Sequence, residues 1–279
     1  LVIAPAMESG MWENVATQGH IAALRERGTW IVEPESGYLA SGASGVGRLA
    51  SETQILATLG QAVGPNDLRG LRIVVTAGGT REAIDPVRYI SNHSSGRMGY
   101  AVAEAAGQRG ATVTLISAPV SIDPPVGVRV QQVESAREME RAVLDTLPEA
   151  DALLMAAAVA DYRPAEVAEQ KIKKQEEALS IHLTRNPDIL LSLKAVKHPS
   201  LVVVGWAAET TNLLDYGRDK LRRKKLDLLV ANPVPQTFGG DLVQATLIYP
   251  EGHEELEAMS KQALAERVLD EVKAIHERR

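Results

Sequence analysis

The strongest constraint on this chain is an alternation. From residue 71 onward, short and almost uninterrupted apolar runs, "LRIVV", "ATVTLI", "VRVQQV", "DALLMAAAVA", "LVVVGWA" and "LDLLVAN", recur with segments of helical period such as "GYAVAEAAGQRG" and "SAREMERAVLDTL" between them. Strands covered on both faces lose the apolar–polar alternation of half-exposed ones, and parallel neighbours need a crossover, usually a helix. The rhythm predicts βαβ units, hence an α/β, Rossmann-like fold: a mainly parallel sheet with helices on both faces. Gly110, with Arg109 just before it, reads as a helix stop. "VQATLIY" reads as a late strand, antiparallel at an edge, and "KQALAERVLDEVKAI" has the i, i+3, i+4 apolar spacing of a closing helix.

The first part of the chain is organised differently. It holds a strand candidate at Leu1 to Ala4, a helix around Val15 to Arg27, a short strand at Trp30 to Glu33 and the glycine-rich "SGASGVGRLA". In "LGQAVGPNDLRG", Gly, Pro, Asn and Asp cluster and periodicity fades, so the expected division is residues 1–65 and 66–279. The opening "LVIAPAMESGMW" has no basic n-region or small-residue cleavage site and is expected to be a chain entered midway rather than a signal peptide.

Charge and composition exclude several classes. With 30 Lys+Arg against 36 Asp+Glu, no global excess of cations exists to neutralise a nucleic-acid backbone. The absence of Cys removes thiol nucleophiles and thiolate metal sites. No apolar run is long enough for a membrane helix, so a soluble, cytoplasmic protein is expected. The six His form no HExxH motif, which argues against a zinc enzyme.

Two glycine turns compete for a ligand. "VVTAGGT" ends a strand, and strand carboxyl ends form the crevice of an open parallel sheet, but the spacing completes neither a P-loop nor GxGxxG. The stretch from Thr80 to Ser95 is long and polar, and the next helix is predicted to begin near Gly96 or Arg97. Ser91, Asn92, His93, Ser94 and Ser95 stand just before it, where side chains and first-turn N–H groups can hold phosphate. Simple capping by Ser94 or Ser95 is the competing reading. Arg88 and Arg97 add positive charge or face water.

Other clusters extend the pattern. "MAAAVADYRP" places small residues and then Asp161, which can read a base or ribose or hold magnesium, at a strand end. Lys171, Lys173 and Lys174 suit a polyphosphate, although solvated lysines beside Glu176 and Glu177 explain them equally. In "RNPDIL" the helix start is expected with Asn186 as cap and Pro187 at the first position. Lys220 and Arg222 to Lys225 form a further basic run near a helix end.

Taken in order, "TAGGTREAIDPVRYISNHSSGRMG", "AAAVADYRP", "KIKKQ", "RNPDIL", "GWAAET" and "KKLDLLVAN" resemble the phosphopantothenate–cysteine ligase part of the bifunctional coenzyme A biosynthesis proteins. The resemblance implies a Rossmann-like fold, dimerisation through the ligase domain, and use of CTP with Mg2+. It implies activation of 4'-phosphopantothenate as an acyl-cytidylate, release of pyrophosphate, and capture by the amine of L-cysteine with release of CMP. Carried over by motif, Asn92 handles the acyl-cytidylate and Lys171 belongs to the reaction centre and the nucleotide. Asp161 binds nucleotide, and the backbone around Ala157 faces the cytosine. Ser94, Ser95 and Gly96 become phosphate contacts, with Lys224 and Lys225 as phosphate-binding neighbours and His93 and Arg88 as substrate candidates. Metal ligands are not assigned.

The first sixty residues resemble the end of the partner FMN-dependent decarboxylase. The family string "PAMNxxMW" stands here as "PAMESGMW", with Glu8 in the Asn position, and "ACGDxGxGR" as "ASGASGVGR", with Ser41 in the Cys position. A carboxylate cannot copy every amide hydrogen bond and a hydroxyl is a poor thiol, so decarboxylation by this chain is not expected, nor FMN binding. Two other readings remain: a nicotinamide-dependent oxidoreductase, and a noncatalytic nucleotide-binding assembly domain.

Overall fold

A computed structural model describes residues 1–173, 179–193, 196–209, 212–233 and 242–279. The chain divides into two compact units, one of Leu1–Arg69 with Gln108–Gly110, the other of Gly70–Gly107 with Ala111–Arg279.

In the first unit, strands Val2–Ile3 and Trp30–Ile31 pair in parallel across the helix Val15–Glu26, whose cap Asn14 accepts from the N–H of Ala16. Glu35–Tyr38 and Ser44–Arg48 form an antiparallel hairpin, and the helix Glu52–Val63 follows its Ser51 cap. The Arg109 guanidinium, almost fully buried, grips Asp67 at 2.7 and 3.0 Å.

The second unit carries an eight-stranded sheet. Its strands are β1 (Arg72–Ala77), β2 (Thr112–Ser117), β3 (Arg129–Gln132), β4 (Ala152–Met155), β5 (Val202–Glu209), β6 (Leu228–Pro233), β7 (Thr246–Ile248) and β8 (His253–Glu255). Their order is β8-β7-β6-β5-β4-β1-β2-β3; β6 through β3 run parallel and β7 and β8 antiparallel. The mainly parallel α/β sheet predicted from the apolar runs is present. One correction concerns "VQATLIY": its strand β7 is antiparallel, but β8 takes the edge.

The helices are α1 (Arg97–Gln108), α2 (Ala136–Thr146), α3 (Ile189–Ser192), α4 (Leu213–Lys224) and α5 (Lys261–Glu277). Met139 and Val143 of α2, Ile189 and Leu190 of α3 and Leu221 of α4 pack with Val74, Leu153, Val203 and Leu229 of the sheet. Alternation along the strands turns Val75, Leu154 and Val204 to the opposite face. Gly99 of α1 lies so close to β1 that a Cβ there would come within 2.6 Å of the Ala77 Cβ.

Two local expectations need correction. The stretch Thr80 to Ser95 is no plain loop: Arg81–Ala83 and Tyr89–Ser91 pair as a hairpin. Asp85 organises its turn, accepting from the N–H groups of Val87 (2.9 Å) and Arg88 (2.8 Å). Asn186 is not a helix cap either; α3 begins at Ile189, and Asp188 caps it by accepting from the N–H of Leu191. Asn186 instead donates to the Ala160 carbonyl at 2.8 Å, because its amide can bridge two loops where a carboxylate could only accept.

Candidate nucleotide cleft

Two segments meet where β1 and β4 end. The "TAGGT" turn, Thr76–Thr80, is laced to Ala157–Ala160. The Thr76 hydroxyl accepts from the N–H of Ala157 (3.1 Å), the Ala158 N–H donates to the Gly78 carbonyl (2.8 Å), and the Thr80 hydroxyl accepts from the N–H of Ala160 (2.9 Å). Gly78 has φ +82 and sits under Ala118, whose carbonyl oxygen a Cβ would approach to 2.9 Å. A side chain is excluded there for both reasons. The turn spends its polar groups on the neighbouring segment and thereby shapes it.

That neighbour forms one wall of a cleft of about 610 Å³. Ala157, Val159, Ala160 and Asp161 line it with Trp206 of β5, as does the turn Arg185–Asp188. Helix α4 contributes Lys220, Arg223 and Lys224, spaced i, i+3 and i+4 on one face. Lys220 donates to the Trp206 carbonyl at 2.7 Å, and the Lys224 ammonium lies 3.1 Å from Asp188. The Trp206 indole Nε1 is buried with no hydrogen-bond partner among the described residues. Small side chains, a flat aromatic wall and cations at one end suit a base joined to an anionic tail.

Residues 68–275 match the family described as the DNA/pantothenate metabolism flavoprotein C-terminal domain. The chain belongs to this family. Residues 1–64 match the family described as flavoprotein. The coenzyme A biosynthesis bifunctional protein CoaBC of Vibrio vulnificus (strain YJ016) is 46% identical over 99% of this chain and 70% of its own length. That of Escherichia coli (strain K12) is 44% identical over 98% of the chain and 69% of its own length. The crystal structure of the C-terminal domain of a coenzyme A biosynthesis bifunctional protein CoaBC is 40% identical, with TM-score 0.67, covering 77% of this chain and 100% of that one. The DNA/pantothenate metabolism flavoprotein of Streptococcus pneumoniae, at 24% identity and TM-score 0.66, shares the fold.

Within this pantothenate-metabolism domain, Ala157, Asp161 and Lys224 line the cleft together. Asn92 reaches its wall from outside, its amide donating to the Val159 carbonyl at 3.1 Å. Ser94, Ser95 and Gly96 lie ahead of α1, and the Ser94 hydroxyl accepts from the Gly96 N–H at 3.3 Å. Gly96 has φ +75, which admits the sharp entry into the helix. His93 is exposed.

Other expected residues sit differently. Arg88 is committed to Asp85, at 2.5 and 3.0 Å, and donates to the Ile172 carbonyl. The Arg88 guanidinium, joined by the N–H groups of Val87, Ile172 and Arg88, holds the Asp85 carboxyl well below the usual carboxylate range against the opposing effect of desolvation. Through the Ile172 N–H, 3.1 Å from Asp85, this turn anchors the start of the lysine segment, where Lys171 and Lys173 are exposed. Lys174 lies outside the described residues. Lys225 caps α4 in a left-handed conformation and lines an adjoining cavity of about 220 Å³, which shares Leu190 and Lys224 with the cleft.

Trp206, Lys220 and the Arg185–Asp188 turn escaped assignment from sequence as cleft walls. The i, i+4 spacing of Lys220 and Lys224 was the available signal. Among the described residues, no cluster of acidic or His side chains forms a ready metal site, and no helix is long and apolar enough to cross a membrane.

Proposed function

We propose that the chain is a CTP-dependent ligase joining 4'-phosphopantothenate to L-cysteine in coenzyme A biosynthesis, with residues 66–279 as the ligase domain. The observation that carries this reading is the cleft in which Ala157–Asp161 and Trp206 face Lys220, Arg223 and Lys224. Kinship with the coenzyme A biosynthesis bifunctional proteins supports the reaction class.

The substrate carboxylate attacks the α-phosphorus of CTP; a P–O bond forms as the bond to pyrophosphate breaks, giving the 4'-phosphopantothenoyl-cytidylate. The cysteine amine then attacks the acyl carbon. A C–N bond forms, the bond to CMP breaks, and the amine gives up a proton. Cations near the cleft stabilise the charge carried off by each leaving group.

In this reading the cytosine lies along Ala157 against Trp206, and the phosphates extend toward Lys220, Lys224 and the Ser94–Ser95–Gly96 turn, with Lys225 as an outer basic neighbour. One N–H of the Asn92 amide is fixed on Val159, which leaves the second to donate to the activated acid. Lys171 approaches the reacting phosphoryl group from its anchored segment, and His93 borders the acid. Arg88, tied to Asp85, positions that segment. Magnesium takes carboxylate oxygens alongside phosphates, and the exposed Asp161 offers one in the cleft. Bound with CTP, the ion neutralises phosphate charge.

A homodimer through the ligase domain completes the proposal. FMN belongs to the flavoprotein portion of longer relatives, and decarboxylation is not assigned to this chain. The deciding experiment incubates the chain with 4'-phosphopantothenate, cysteine, CTP and Mg2+ and follows pyrophosphate and product mass. Folded protein that releases no substrate-dependent pyrophosphate refutes the reading. CTP binding without product would favour a nucleotide-binding assembly domain.

A further inference from the structure

Lys224 differs from its neighbours on α4 in what holds it. Arg223 approaches Asp219, 3.9 Å away and outside the cleft lining. Lys224 is paired at 3.1 Å with Asp188, a carboxylate that itself lines the cleft. The lysine side chain is only 14% exposed and the aspartate 36%, so the pair sits in a partly desolvated mouth where charges interact more strongly than in open water. The aspartate is also held in place: Oδ1 accepts from the N–H of Leu191 while Oδ2 faces the ammonium.

We infer that Asp188 is a built-in counter-ion that stands where an incoming anion must bind and sets the charge threshold of the cleft. It holds the Lys224 ammonium beside the cleft lining. An anionic ligand gains Lys224 only by sharing it with, or taking it from, a fixed carboxylate. A singly engaged phosphate recovers little, whereas a polyphosphate that also reaches Lys220 and Arg223 recovers the difference. The pair therefore favours a nucleoside triphosphate over the monophosphate product and helps that product leave. The inference rests on the nucleotide reading of the cleft but concerns a residue that this reading leaves without a role.

The test compares the unsubstituted chain, Asp188→Asn, Lys224→Met and the double variant, with inorganic pyrophosphate, CMP and CTP as probes in calorimetric titrations. Asparagine caps a helix about as well as aspartate, so α3 is retained; Asp188→Ser, another capping residue, is the second variant if the first folds poorly. Freeing Lys224 from its carboxylate should tighten CMP about tenfold and CTP and pyrophosphate less, and narrow the preference for CTP over CMP. The gain should shrink with added salt and be much smaller in the Lys224→Met background, where only the direct repulsion between carboxylate and anion is relieved. In turnover assays, product inhibition by CMP should rise while kcat falls. Unchanged or weaker anion binding in Asp188→Asn, or equal tightening with and without Lys224, overturns the inference. If the unsubstituted chain makes no ligated product, the ligase reading fails separately, and the CMP and pyrophosphate titrations together still decide the role of Asp188.

Discussion

The two units use amphipathic helices to opposite effect. Helix α5 buries Leu264, Ala265, Val268, Leu269, Val272 and Ile275, whereas the helix Glu52–Val63 of the first unit buries no residue and leaves Leu56 and Val63 exposed. Both segments carry an apolar stripe at helical spacing. The stripe states a demand for a partner surface, and in the second unit the eight-stranded sheet meets it. Helical stability in proteins comes mostly from such packing rather than from propensity.

The sharpest way to break this comparison is a pair of truncations. Leu153→Ala, in the fully buried β4, should cost about 2–5 kcal/mol in denaturant unfolding. Leu56→Ala, on the exposed stripe of the first unit, should stay within about 0.5 kcal/mol. Equal losses at both positions would mean that the first unit is as well packed as the second.

Chemistry should be confined to the second unit. Asn92→Asp and Lys171→Gln should each lower kcat about a hundredfold or more with unchanged unfolding midpoints, as loss of a group that meets developing charge does. Unchanged turnover in either variant removes that residue from the proposed mechanism.

Acid should act on the second unit through the Asp85 turn. Because the folded carboxyl titrates below its ordinary value, its contribution is fully present above about pH 4 and is lost as pH falls through the depressed folded value. Asp85→Asn should lower the unfolding midpoint at pH 7 and flatten its decline on acidification; the same slope in both proteins would exclude Asp85 as a source of acid sensitivity.

The smallest effect is expected in the first unit, where Glu8 accepts from the Ser41 N–H (3.2 Å) and hydroxyl (2.9 Å), so that the two departures from the decarboxylase pattern touch each other. The contact is exposed, and Glu8→Gln should change stability by less than about 0.5 kcal/mol while speeding exchange of the Ser41 amide. An unaltered exchange rate would show that the pair does not hold the hairpin.

Sequence alone determined the periodic features: the apolar runs that became β1, β2 and β4 to β6, the start of α1 at Arg97, the closing helix α5, and the ordered strings of the resemblance. These follow from local repetition, which neighbouring residues carry between them. Only the tertiary structure decided that Asp85 pins both a hairpin turn and the residue after Lys171, 87 positions away in sequence. It likewise decided that Asn186 bridges loops while Asp188 caps α3, and that Trp206, Lys220 and Lys224 share one cleft with Ala157. A side chain's partner depends on which backbone groups the folded sheet brings within hydrogen-bonding reach, and no local pattern encodes that distance.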